Sequence, residues 1–246
     1  RLMTLSASVE EYVAKQDQFT WKRNLIRTAI RTIGFHVLAN VRVIGEDNIP
    51  LAGPTIIMMN HISLADPIVC MGAITRRFVI PMTKIENMHN PILAPFIRWW
   101  GAYSVNRGEI DRKALMNSIE LIKSGQLILI APEGHRHPEG LARPKDGLAY
   151  IATKANAVIV PTALSGAEVW MERLKHLRRA PVTVTFGRAF RFKTAGERIP
   201  RDTLSAMSEE AMYQLALTIP NPALRGVYSD LSQATSEHLE FLSTSA

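Results

Sequence analysis

From Val41 onward, short apolar runs take turns with stretches of helical period, and this alternation constrains the fold more than any other feature of the chain. Runs at 41–44, 55–59, 78–82, 102–105, 127–130, 158–161 and 182–186 have the length and branched character of strands. Helical patterns lie between them, best marked at 111–123 and 147–155, with Asp111 placed to cap the first and Gly125 to follow its end. Such a chain is predicted to form a single α/β domain over 41–218, its central sheet mostly parallel or mixed and flanked by helices. A last helix near 202–217 ends before Pro220 and Pro222, and 219–246 reads as a polar C-terminal tail, wrapped or partly loose. With 246 residues, 47% of them hydrophobic, the chain is long enough for a full core and is not a disordered polymer.

Residues 8–40 carry a different pattern and are expected to be an amphipathic helical segment ahead of the sheet. No acidic residue occurs between Asp17 and Glu46. Arg23, Arg27 and Arg31 fall four apart along one helical face. Leu25, Ala29, Ile33 and Val37 form the neighbouring apolar stripe, with Ile26 and Ile30 beside it and Trp21 at its start. A helix that is basic on one side and apolar on the other can lie in a membrane interface, where each cation near anionic lipid contributes roughly 1 kcal/mol. A helix packed on the domain with its basic face in water would show the same pattern. The formal charge of +7 favours anionic partners, and the lack of a nucleic-acid motif turns the reading from nucleic acid to anionic membrane lipids and phosphorylated substrates. No signal peptide and no apolar run of about 18 residues is visible, which predicts peripheral attachment. The one cysteine, Cys70, fits a reducing compartment, so the expected location is the cytoplasmic face of the membrane.

The chemistry concentrates at strand ends. The run at 55–59 leads directly into Asn60-His61-Ile62-Ser63-Leu64-Ala65-Asp66, and in open α/β sheets sites form beyond the carboxyl ends of strands. If a helix starts near Ser63, with Ser63 as its cap, its first turns bring Asp66 back towards His61. The carboxylate would then hold one ring nitrogen and leave the other to take a proton. A capping aspartate beside a buried histidine would look the same. After 127–130 comes Ala131-Pro132-Glu133-Gly134-His135-Arg136-His137, another strand end, with a carboxylate, a phosphate-matching guanidinium and a glycine that lets backbone approach a ligand. Arg107, Lys84 and Lys145 add cations at further strand or helix ends. A metal held by His61, Asp66, His135 and His137 is disfavoured because the spacing matches no zinc pattern. Cys70 sits in an apolar run and reads as a small hydrophobe, with no visible reason for a low pKa. The apolar stretch 91–100, with Trp99 and Trp100, suits an apolar tunnel, a bilayer contact or core equally.

These blocks resemble those of the 1-acylglycerol-3-phosphate acyltransferases, within the wider glycerolipid acyltransferases. Asn60-His61 with Asp66 is similar to the first block, and Lys84-Ile85-Glu86 to the segment that follows it. Gly101 with Asn106-Arg107 is similar to the second, Pro132-Glu133-Gly134-His135-Arg136 to the third and Val160-Pro161 to the fourth, all in the family's order. The resemblance implies that His61 deprotonates an acceptor hydroxyl and Asp66 orients it, for direct attack on the thioester of acyl-CoA or acyl-carrier protein. It implies that Arg107, Lys84 and Arg136 hold the phosphate of a lysophosphatidate-type acceptor, that Glu133 shapes the site, and that Asn60 and Gly134 belong to the substrate site. Pro161 would be structural, and no metal or prosthetic group is implied. The chain departs from the family pattern at Ala131, His135, Asn106 and Thr162, which bears on acceptor identity. Another lysophospholipid, an amino-acid lipid acceptor, or a non-catalytic basic lipid-binding module are the alternatives.

Overall fold

In a computed structural model of the protein, the described residues are 6–84, 89–91, 93–105, 112–145, 147–194 and 199–243. Two helices, α1 (Ala7–Ala14) and α2 (Thr20–Ala29), open the chain, and α2 runs on as a π-helical extension, Ile30–Leu38. Then follow β1 (Ala39–Ile44), β2 (Thr55–Met59), α3 (Asp66–Ala73), β3 (Val79–Lys84), α4 (Leu93–Trp100), β4 (Tyr103–Val105), α5 (Arg112–Lys123) and β5 (Leu127–Ile130). The second half comprises α6 (Leu148–Ala155), β6 (Val158–Ser165), α7 (Trp170–Lys175), β7 (Ala180–Phe186), β8 (Phe190–Phe192), α8 (Arg201–Thr218) and β9 (Leu239–Phe241).

Among the described residues nine strands form one mixed sheet in the order β1-β7-β6-β2-β5-β3-β4, with β8 pairing β6 and β9 pairing β8. The pairs around β2 are parallel, so β2, β5, β3 and β6 all deliver their carboxyl ends to one edge. Their sequences explain the placement. Thr-Ile-Ile-Met-Met in β2 and Leu-Ile-Leu-Ile in β5 are buried throughout, as strands covered on both faces must be. Alternate residues serve opposite layers: Ile56 and Met58 pack with Ile122, Ile151 and Leu215 from α5, α6 and α8. Ile57 and Met59 pack with Phe35, Val69 and Trp100 from the π extension, α3 and α4.

The N-terminal segment reverses one expectation. Its basic stripe faces the protein, not water or lipid. Arg23 is buried and donates Nε to the Trp100 carbonyl at 2.7 Å. Arg27 donates to the carbonyls of Ile74 and Thr75, and Arg31 to that of Gly72. These acceptors lie at the C-termini of α3 and α4, where helix carbonyls have no intrahelical partner and the dipole favours a cation. Gly72 allows the close approach: a Cβ there would lie 2.5 Å from Ile30 Cγ2. The apolar stripe consequently points outward, with Trp21 60% and Val37 63% exposed and Leu25 and Ile33 between them.

The stretch 219–243 packs against the domain. Leu224, Tyr228 and Leu239 are buried, and β9 extends the sheet. Buried Glu210 in α8 fastens it, accepting hydrogen bonds from Thr235 Oγ1 and from the backbone N–H groups of Glu237 and His238, and pairing with the His238 ring.

Candidate active site

Past the end of β2 the chain is pinned before it turns. The buried Asn60 amide donates to the Leu164 carbonyl at 2.9 Å and accepts the Leu164 N–H at 2.7 Å. Asn60 was expected among the substrate contacts; instead its side chain is fully engaged in tying β2 to β6, because an interior amide must satisfy both its ends. His61 follows at the carboxyl edge. Its carbonyl accepts the His137 N–H at 2.7 Å, which draws the 131–137 loop alongside.

His61 Nδ1 lies 3.0 Å from Asp66 Oδ2. The same oxygen accepts the N–H groups of Ile62 at 2.7 Å and Ser63 at 2.6 Å. The helix starts at Asp66 itself, not near Ser63, with Pro67 in its first turn. Ser63 therefore does not cap it; its hydroxyl accepts the Ala65 N–H within the preceding turn. The short loop 62–65 wraps round the carboxylate and holds it through those two N–H groups. Asp66 is wholly buried, while His61 keeps one side accessible. Its Nε2 makes no hydrogen bond among the described residues. This arrangement selects the tautomer with hydrogen on Nδ1 and gives the carboxylate a position to stabilise an imidazolium.

A small cleft opens beside the ring, its walls formed by Met59, Pro67, Pro81, Met82, Leu129, Ile130 and Ala131. The imidazole thus faces a slot whose other lining side chains are apolar, at the carboxyl edge of the sheet.

Glu133 is the second buried carboxyl here. Oε2 accepts the Ala142 N–H at 3.3 Å; Oε1, like Asp66 Oδ1, has no partner among the described residues. Burial pushes the Glu133 carboxyl up to about 7, against the pull of backbone N–H groups at Ala142 and His61 and with help from the Asp66 charge. Gly134 adopts φ +75°, the left-handed region that favours glycine, and the Lys145 side chain packs over it, a Cβ there lying 2.9 Å from Lys145 Cδ. Arg136 and His135 stand exposed on this loop, and Lys145 is tied to it through its N–H to the Pro132 carbonyl at 2.9 Å.

Lys84 ends β3 at the same edge, its side chain lying outside the described residues, as do Arg107, Asn106 and the Lys-Ile-Glu segment beyond Lys84. Pro161 is buried in β6, paired in register with Met58. Among the described residues no three His, Cys, Asp or Glu side chains converge as metal ligands. Cys70 is buried and its thiol pushed far up by that burial, which removes it as a nucleophile. In the 91–100 stretch, Trp100 is core and donates Nε1 to the Val79 carbonyl at 2.8 Å, whereas Trp99 is exposed edge-on to Trp21.

The sequence reading missed two roles, those of Asn60 as a clamp and of the arginines as helix caps. A signal for the second exists: α3 ends in Gly-Ala-Ile-Thr without a left-handed glycine to close it, so its last carbonyls need donors from elsewhere.

Residues 40–165 match the family model described as Acyltransferase. A 1-acyl-sn-glycerol-3-phosphate acyltransferase of Borreliella burgdorferi is 33% identical over 132 residues, 52% of this chain and 52% of that protein. One of Bacillus subtilis is 27% identical over 135 residues, 55% of this chain and 67% of that protein. The matched stretch thus spans about half the length of the first relative and about two thirds of the second. The crystal structure of the 1-acyl-sn-glycerophosphate acyltransferase from Thermotoga maritima has the same fold, with a TM-score of 0.58 and 23% identity over 80% of this chain and 79% of that one.

Proposed function

The chain belongs to the acyltransferase family, and from that premise we propose that it moves a fatty acyl group from acyl-CoA or acyl-carrier protein to the free hydroxyl of 1-acylglycerol-3-phosphate, giving phosphatidate. The observation that carries this reading is the His61–Asp66 pair, 3.0 Å apart at the mouth of an apolar cleft. His61 Nε2 takes the acceptor's hydroxyl proton as the oxygen attacks the thioester carbonyl. The C–S bond then breaks, and the departing thiolate recovers the proton from the imidazolium. Asp66 keeps its charge throughout and offsets that of the ring. Arg136, with Lys84 and Arg107 as the family blocks imply, holds the acceptor phosphate, and Glu133 Oε1 accepts from an acceptor hydroxyl or a neighbouring cation. The apolar wall of the cleft suits the first methylenes of the acyl chain. The acyl thioester is a co-substrate, and no further cofactor enters the mechanism.

Peripheral attachment to anionic lipid at the cytoplasmic face is part of the same proposal. What supports it is the outward apolar stripe of α2 and its extension, joined by Trp99 and by Lys22, whose ammonium lies 5.6 Å from the Trp21 ring. No helix of the described residues is long and apolar enough to cross a membrane.

Thiol release from acyl-CoA, followed over a panel of lysolipids, tests the reaction. His61→Ala is expected to lower turnover by about 10²–10⁴-fold with vesicle binding retained. Turnover that survives in this variant would remove the mechanism, and a preference for an acceptor without phosphate would remove the named substrate.

A further inference from the structure

One surface remains outside the reading above: the corner between α7 and β7. Residues 171–173 and 175–179 are all exposed, and from Arg173 to Arg179 there are four cations and no acid, Glu168 and Glu172 lying before them. Leu177 is 97% exposed at φ 51°. Its place is well defined. The Arg178 N–H bonds the Arg173 carbonyl at 2.9 Å and the Leu177 N–H bonds that of Leu174 at 3.0 Å, which makes Leu177 the left-handed residue of a Schellman helix end. Glycine is the usual occupant because any side chain is strained there. A leucine at that position is unfavourable twice over, in its backbone and in its full exposure to water, and an apolar surrounding would remove the second cost.

The corner also has defined neighbours. β1 and β7 run parallel from Ala39 and Ala180, paired in register, so the residues just before each strand emerge together. Arg179 Nη1 donates to the His36 carbonyl at 2.9 Å, which sets Leu177 and Arg178 next to exposed Val37 and Leu38 at the end of the apolar stripe. β7 stands two strands from β2, about 10 Å along the sheet, and its start lies on the edge where His61 stands. Leu64, in the loop round Asp66, is exposed on that edge too.

We propose that the α7–β7 corner is a second contact with an anionic lipid bilayer, Leu177 entering the interfacial region while Arg173, Lys175 and Arg178 meet head-group phosphates. The inference rests on the membrane attachment proposed above and adds to it: two separated contacts would fix the tilt of the His61 edge against the lipid, where one helix would leave it free to roll. Arg179 is not counted among the lipid contacts, being bonded to His36.

The test labels single cysteines with an environment-sensitive fluorophore, Cys70 being buried and inert. Leu177→Cys, Val37→Cys and Leu51→Cys, the last exposed at the opposite edge, are compared on vesicles of equal parts phosphatidylcholine and phosphatidylglycerol. Labels at 177 and 37 are expected to shift to the blue and the label at 51 to stay aqueous. A response at 37 with none at 177 overturns the second contact and leaves the membrane reading intact. No response at either, with the protein left in the supernatant, overturns both. A response at 177 to a soluble acidic protein without vesicles would reassign the surface to a protein partner. Replacing Arg173, Lys175 and Arg178 together by Gln should weaken binding to these vesicles by about tenfold or more; unchanged affinity overturns the ionic part.

Discussion

At the scale of single residues, the site contains two buried carboxyls used in opposite ways. Asp66 is surrounded by donors on one oxygen, whereas at Glu133 burial outweighs the pull of its backbone N–H neighbours and resists ionisation. The sign of the pH effect follows. A carboxyl raised from the ordinary 4.5 to about 7 in the folded chain carries no penalty below 4.5, where both states are protonated, and its full penalty above 7, where both must ionise. Stability therefore falls as pH rises between these values. Glu133→Gln removes the titration, so the variant should gain on the parent by as much as about 3 kcal/mol between pH 4.5 and pH 8, read from urea midpoints across that range. A constant difference at all pH values would show that Glu133 ionises as readily in the folded chain as in the unfolded one.

At the scale of elements, the N-terminal helix shows what a periodic pattern leaves open. Residues four apart drift by about 40° at each step on an α-helix, so a stripe from Trp21 to Val37 would wind to the far side. Passing from α2 into a π-helical extension, whose i→i+5 bonding needs more than four residues per turn, turns the drift back. Two four-spaced stripes thereby stay on opposite faces for the whole length. Which faces inward is decided by the unpaired carbonyls of α3 and α4, and these are invisible in the stripe itself. Arg23→Met should then cost about 2–4 kcal/mol of stability without weakening vesicle binding of the folded protein. Leu25→Asp with Ile33→Asp should do the reverse, as thermal melts and vesicle co-sedimentation would report. Loss of lipid binding in the Arg23 variant at unchanged melting temperature would contradict this assignment. The sheet was far more legible. Runs at 55–59 and 127–130 are continuous, apolar and bounded by turn residues, and they form β2 and β5 over those same residues. The His61–Asp66 pairing was legible from position after a strand, though the turn that makes it was not, since hydrogen bonds from Ile62 and Ser63 depend on a loop without period. The three-residue strands β8 and β9 offer too few positions for any pattern.

At the scale of the whole molecule, the segments on either side of the main sheet, 6–38 and 219–243, are structural members. The C-terminal stretch completes the sheet through β9, held by one glutamate. Glu210→Ala removes acceptors for Thr235, Glu237 and His238 together and should cost about 2–4 kcal/mol, with faster amide exchange at 190–192 and 239–241 and little change near His61. Uniform exchange across the sheet would mean that the stretch does not open separately. The N-terminal segment runs the other way round. Ser6 bonds Glu120 on α5, the Tyr12 hydroxyl bonds the Gly101 carbonyl beside β4, and the arginines reach α4 and then α3. A segment bolted at so many stations behaves as a keel and not as a mooring line. Pulling it away would strip donors from two helix ends at once, one of them belonging to the helix that begins with Asp66. Whatever grips its outer face must therefore turn the imidazole with it, and the heading of the His61 edge becomes a property of the hull.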